Sequence, residues 1–140
     1  MRSYTDLEQS KKLSEILPLE SADMWWAERY AGKVENYEYI VEEKPVYYLS
    51  FTKPSEENYS QDTIKDIPCW SLATLLNILH QVKEINHQRV TILVGRWAGR
   101  HWYVEFVKVQ NESSVVFEHS KELVDACVDI IIKLHEQKLL

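Results

Sequence analysis

The run "RVTILVGRWAGRHWYVEFVKV" (89–109) constrains the fold more than any other part of the chain. Two segments rich in β-branched and aromatic residues, 89–96 and 101–109, flank the short link Trp97-Ala98-Gly99. Segments of that kind read as strands, and a link so short joins antiparallel neighbours, so the pair predicts a hairpin. "SVVFE" (114–118) follows closely and extends the hairpin into a meander. Upstream, "YEYIV" (37–41) and "PVYYLSF" (45–51) predict two more strands. The polar stretch 53–66 between them and the next helix predicts a long loop.

Helical periodicity marks the rest. Thr5-Asp6-Leu7-Glu8 has the form of a capping box with Thr5 as cap, and Leu7, Leu13, Ile16 and Leu17 follow at helical spacing up to Pro18. Residues 19–32 predict a second short helix, with Ser21 as cap and Gly32 as stop. Leu72, Leu75, Leu76 and Leu79 form one apolar stripe. The segment 120–140 predicts the longest helix, with Ser120 as cap and Leu123, Cys127, Ile130, Ile131 and Leu134 on its buried face. Its charged face offers the i,i+4 pairs Lys121–Asp125 and Asp129–Lys133. The predicted order is α(α)ββαβββα. It describes an α+β protein: an antiparallel meander of about three to five strands with helices packed on one face. At 140 residues the chain reads as one globular domain, 1–140.

"DIPCWSLATLL" (66–76) raises the sharpest chemical question. If Asp66 caps the helix, Cys69 falls in the first turn, where the dipole favours a thiolate. If Ser71 caps it, Trp70 and Leu75 form a hydrophobic staple and Cys69 lies outside the helix. The staple fits residue for residue and favours Ser71. The enzymatic alternative is a papain-like cysteine hydrolase, with Cys69 as nucleophile, His101 as base, and Glu118 or His119 orienting it. The residues beside Cys69, Pro68 and Trp70, offer no oxyanion hole.

Other chemistries lack their residues. Gly stands only at 32, 95 and 99, so no Gly-rich phosphate loop exists. The five His and two Cys show no metal-ligand spacing, and no cofactor or metal is expected. A net charge of −6 argues against nucleic acid as a general partner. No basic-then-apolar leader and no long apolar run is present, so neither secretion nor a membrane span is expected, and two unpaired cysteines suit a reducing cytoplasm.

The five Trp and eight Tyr are the remaining signal. "ADMWWAERY" (22–30) places Trp25, Trp26 and Tyr30 together, and "GRWAGRHW" (95–102) interleaves Arg96, Arg100 and His101 with Trp97 and Trp102. Trp, Tyr and Arg anchor protein interfaces, so these seven residues (Trp25, Trp26, Tyr30, Arg96, Trp97, Arg100 and Trp102) are the interface candidates. The bland alternative is that the indoles simply fill the core edge while the Arg side chains are solvated.

Three blocks, 5–26, 67–79 and 122–140, resemble a family of small proteins from Bacteroides-type gut bacteria and their phages and mobile elements. That resemblance implies a compact cytoplasmic bacterial or phage protein and brings no assigned activity, cofactor or site residue. In the family the position of Cys69 is often alanine, which counts against a catalytic role. The sequence therefore leads to a non-enzymatic interaction or host-modulating module with a protein partner, which could include a second copy of the chain.

Overall fold

The computed structural model describes residues 1–30, 45–51 and 63–140, with the side chains of 28–30, 45–46 and 63–66 excepted. The chain is an α+β protein, and among the described residues its strands form two antiparallel sheets rather than one. Its elements are α1 (Leu7–Ser14), a 3-10 turn (Leu19–Ser21), β1 (Met24–Tyr30), β2 (Pro45–Ser50), β3 (Thr63–Cys69), α2 (Leu72–His80), β4 (Glu84–Ile85), β5 (Gln88–Trp97), β6 (His101–Lys108), β7 (Ser114–Ser120) and α3 (Leu123–Glu136).

The four-stranded sheet is the expected meander, in the order β4-β5-β6-β7. Its turns are dictated locally. Asn86 and His87 both take positive φ in the two-residue β4–β5 turn, the backbone that matches strand twist in a hairpin. At the β5–β6 tip Ala98 and Gly99 are left-handed (φ 50° and 74°), so Trp97 pairs with His101 across a three-residue loop. One face of this sheet packs on α3. Val90, Val104, Phe106 and Val116 from the strands join Val124, Cys127, Val128, Ile131 and Leu134 in a single buried cluster. α2 packs on α3 and on β5, and α1 reaches both α3 and β3. The helices therefore lie on one side of the meander. The main packing contacts between described elements fall on that side, and the other side carries the half-exposed Leu93 and Trp97.

The three-stranded sheet runs β2-β1-β3 and contains the main corrections. Residues 24–30 are its central strand, not the second half of a helix over 19–32. Only the 3-10 turn Leu19–Ser21 survives of that helix. The physical reason is pairing. Met24–Tyr30 meets β2 on one side and β3 on the other, its Trp and Tyr suit a pleated surface, and this pairing overrides the helix preference of Ala27 and Glu28. The loop expected over 53–66 gives up its end to β3. Pro68 fits there because β3 is an edge strand among the described residues, the place where a sheet tolerates proline. The strand expected at 37–41, the proposed stop Gly32 and most of the 53–66 loop lie outside the described residues.

Helix ends also shift. Asp6, not Thr5, caps α1: its carboxylate accepts from the Gln9 amide while the Gln9 side chain accepts from the Asp6 amide. α3 begins after Glu122 rather than Ser120, with no side-chain cap. The i,i+4 partners are replaced by distant ones. Asp125 pairs with Arg2 and also accepts from Gln9, and Lys133 pairs with Glu118 of β7 at 3.1 Å. Arg2 additionally donates to the Tyr4 carbonyl and to the Gln9 side chain, so the N-terminus is tied to the long helix.

Candidate functional site

The "DIPCWSLATLL" stretch resolves as a helix start. Ser71 is the N-cap of α2, its hydroxyl accepting from the Thr74 amide. Trp70 and Leu75, the two halves of the staple, are fully buried. The cap is itself held. Asp23 accepts from the Ser71 amide at 2.8 Å and from its hydroxyl at 2.5 Å. Partial burial pushes the Asp23 carboxyl up, but the Ser71 and Thr74 hydrogen bonds outweigh it and leave the pKa below 3.8.

Cys69 consequently ends β3 instead of opening a helix. It has no solvent access, and its Sγ lies 3.4 Å from the Thr5 hydroxyl and 3.5 Å from the Thr5 carbonyl. Burial raises its thiol pKa, against the pull of the Thr5 and Ser10 hydroxyls. A thiol held protonated and sealed from solvent is a poor nucleophile. His101 does not meet it. His101 belongs to the other sheet, where its Nδ1 lies 3.0 Å from the Nδ1 of His119. Cys127 sits on the buried face of α3, its pKa pushed up to about 12 by burial.

The candidate interface residues divide between surfaces. Trp25 and Trp26 alternate along β1, and both are half-buried. The Trp26 indole N–H donates to the Thr5 carbonyl at 3.2 Å and its ring meets Tyr4 edge-on, so Trp26 is a structural residue. The Tyr30 side chain lies outside the described residues. Trp102 points to the helix side of the meander, packed against the core, with the Arg96 guanidinium 4.8 Å from its ring centroid. Arg96 also donates to the Gly99 carbonyl. Arg100 is exposed in the β5–β6 turn.

Trp97 is different. Strand alternation places Leu93, Gly95 and Trp97 of β5, His101, Tyr103 and Glu105 of β6, and Phe117 and His119 of β7 on the uncovered face. The Trp97 ring is 4.2 Å from that of His119, 5.8 Å from that of Phe117 and 6.2 Å from that of His101, centroid to centroid. Tyr103 stacks on Phe117 at 5.9 Å. Trp97 is 45% exposed and Leu93 43%. Gly95 is needed here, because a Cβ would stand 2.8–3.0 Å from the Tyr103 ring atoms that lie against it. The result is a continuous aromatic and imidazole patch, with Arg100 at its tip.

Two parts of this patch were hidden in the sequence. Trp97 and Trp102 look like one cluster until Trp97 is paired with His101, which sends the two indoles to opposite faces. Tyr103 and Phe117 carry no local motif and join the patch only through register, whereas His119 is one of the two residues expected beside His101 and lies there.

Among the described residues no group of three or more His, Cys, Asp or Glu side chains is placed to hold a metal ion, and no helix is long and apolar enough to cross a membrane. No family model matches the chain, and no match is found among curated proteins or solved structures. The class of the protein is therefore given by its fold, an α+β chain of two antiparallel sheets with three helices among its described residues.

Proposed function

We propose that this chain is a small non-enzymatic interaction module that binds a protein partner through the open face of the four-stranded sheet. One observation carries the reading: Trp97 stands half-exposed at the centre of an aromatic patch on the face away from the helices. Aromatic side chains held in place by neighbours lose little rotamer freedom on binding, and they dominate interface energetics. Covering the exposed part of Trp97 is worth about 2–3 kcal/mol by area alone. A cytoplasmic setting in a bacterium or its phage belongs to the same proposal and rests on the sequence resemblance.

The experiment is capture of a partner from the native host lysate by the wild-type protein, Trp97→Ala and Trp102→Ala. A specific, stoichiometric partner lost only with Trp97→Ala supports the reading. Equal capture by Trp97→Ala places the interface elsewhere.

A further inference from the structure

The imidazoles of His101 and His119 face each other across the β6–β7 pair with their Nδ1 atoms 3.0 Å apart, on the open sheet face. We propose that this pair is a bidentate chelate site for a divalent transition-metal ion of the Cu(II) or Ni(II) type.

The separation is that of the hydrogen bond, and it is compatible with chelation. With metal–nitrogen bonds of about 2.0–2.1 Å, nitrogens kept 3.0 Å apart subtend roughly 91–97° at the metal. That is the cis angle of tetragonal and square-planar coordination, which Cu(II) and Ni(II) prefer. A tetrahedral ion such as Zn(II) wants the nitrogens about 3.3–3.4 Å apart, within reach of a small ring rotation, so the preference rests on ligand type and on the stability order of the divalent ions. Neutral imidazole is the favoured ligand for these ions, and Cu(II) stands highest among the divalent ions for a given nitrogen site.

The free pair is held by a shared proton: one ring donates through Nδ1 and the other accepts. The metal takes the place of that proton between the two nitrogens. No net proton is released, because the donating ring carries its proton on Nε2 once its Nδ1 lone pair binds the metal. The rings are held close together and nearly head-to-head, with centroids 5.2 Å apart, so each turns modestly for its Nδ1 lone pair to converge on the metal. Trp97 lies against both, at 4.2 Å from His119 and 6.2 Å from His101, and Phe117 lies 5.8 Å from His119. Holding both ligands in place before binding removes much of the ordering cost of chelation. His119 is exposed, so the remaining coordination positions open to solvent and take water or a donor from outside. The site is independent of the partner-binding reading, and either can fail alone.

The test is titration of the untagged protein with CuCl2, followed by Trp fluorescence and calorimetry. Trp97 is the reporter, since Cu(II) bound at His119 quenches an indole at this range. The expected result is a saturable quench at one equivalent. His101→Asn and His119→Asn each weaken binding by at least about tenfold, because a chelate becomes a single ligand. Trp97→Phe loses most of the quench but keeps the calorimetric binding. His87→Asn, which alters a fully exposed His on the β4–β5 turn, binds as wild type. All four substitutions are at partly or fully exposed positions, and circular dichroism checks their folding. No saturable binding in the wild type, or wild-type affinity in His101→Asn and His119→Asn, overturns the proposal.

Discussion

The hydroxyl of Thr5 lies 3.4 Å from the sulfur of Cys69, and neither residue has solvent access. Thr5 also accepts from the Trp70 amide, shares a 2.7 Å hydrogen bond with Ser10, and receives the Trp26 indole N–H on its carbonyl. Cys69 is thus part of a buried polar knot joining the N-terminus to β3 and the start of α2. Cys127 is equally sealed, in apolar surroundings.

Both thiols are therefore expected to be inert in the folded protein. Ellman's reagent at pH 8 should detect almost no thiol under native conditions and both after denaturation. One fast-reacting thiol in the native state would reopen nucleophilic chemistry at Cys69.

The Asp23–Ser71 pair predicts a helix cap with an acid sensitivity. Ser71→Ala should cost about 1 kcal/mol in urea unfolding, since α2 loses its N-cap bond. The Asp23 pKa lies below 3.8 in the folded state, so its contribution is present above that value and is lost as pH falls through the folded pKa. Ser71→Ala removes the hydroxyl hydrogen bond that helps hold this pKa down and leaves the amide bond, so its stability should fall less than that of wild type on acidification toward pH 3. An unchanged acid profile would show that Asp23 is not held by Ser71.

Asp129 predicts the opposite sign. Its carboxyl is solvent-accessible, yet partial desolvation, then Glu118 and Asp125, raise its pKa, with Lys12 partly opposing them. The folded state is therefore penalised when Asp129 is ionised, and the penalty, screened by solvent, eases as pH falls through the raised pKa. Asp129→Asn should raise Tm by about 1 °C or less at pH 7 and have little effect near pH 3. A lower Tm at pH 7 would mean that Asp129 has a stabilising cation partner, as an i,i+4 pair with Lys133 would supply.

Trp70 carries the largest expected loss of stability. Its ring is fully buried and its indole N–H donates to Ser21 at 3.0 Å. Trp70→Ala should cost about 3–5 kcal/mol in urea unfolding, a large part of a typical domain's stability. A cost below about 1 kcal/mol would contradict the packing around the α2 start.

Local chemistry was legible, and distant pairing was not. The Ser71 cap, the Trp70–Leu75 staple, the β5–β6 hairpin and the buried stripe of α3 each follow from residues within a few positions of one another. The strand character of Met24–Tyr30 depends on partners at 45–50 and 63–69, which its own Ala and Glu residues do not announce. Asp125 finds Arg2, far away in sequence, instead of Lys121 one turn back. The site shows the same division. Trp97 stood out by its composition. Its neighbours Tyr103 and Phe117 emerge only from the register of three strands, while His119 is expected beside His101 and is found there.

The measurement closest to the central claim is the affinity of the captured partner for wild type and Trp97→Ala, with Trp102→Ala as the control on the covered face. The account predicts a loss of about 2 kcal/mol, roughly thirtyfold in Kd, for Trp97→Ala, and near wild-type binding for Trp102→Ala once its folding is verified. No specific partner, or wild-type affinity in Trp97→Ala, would contradict it.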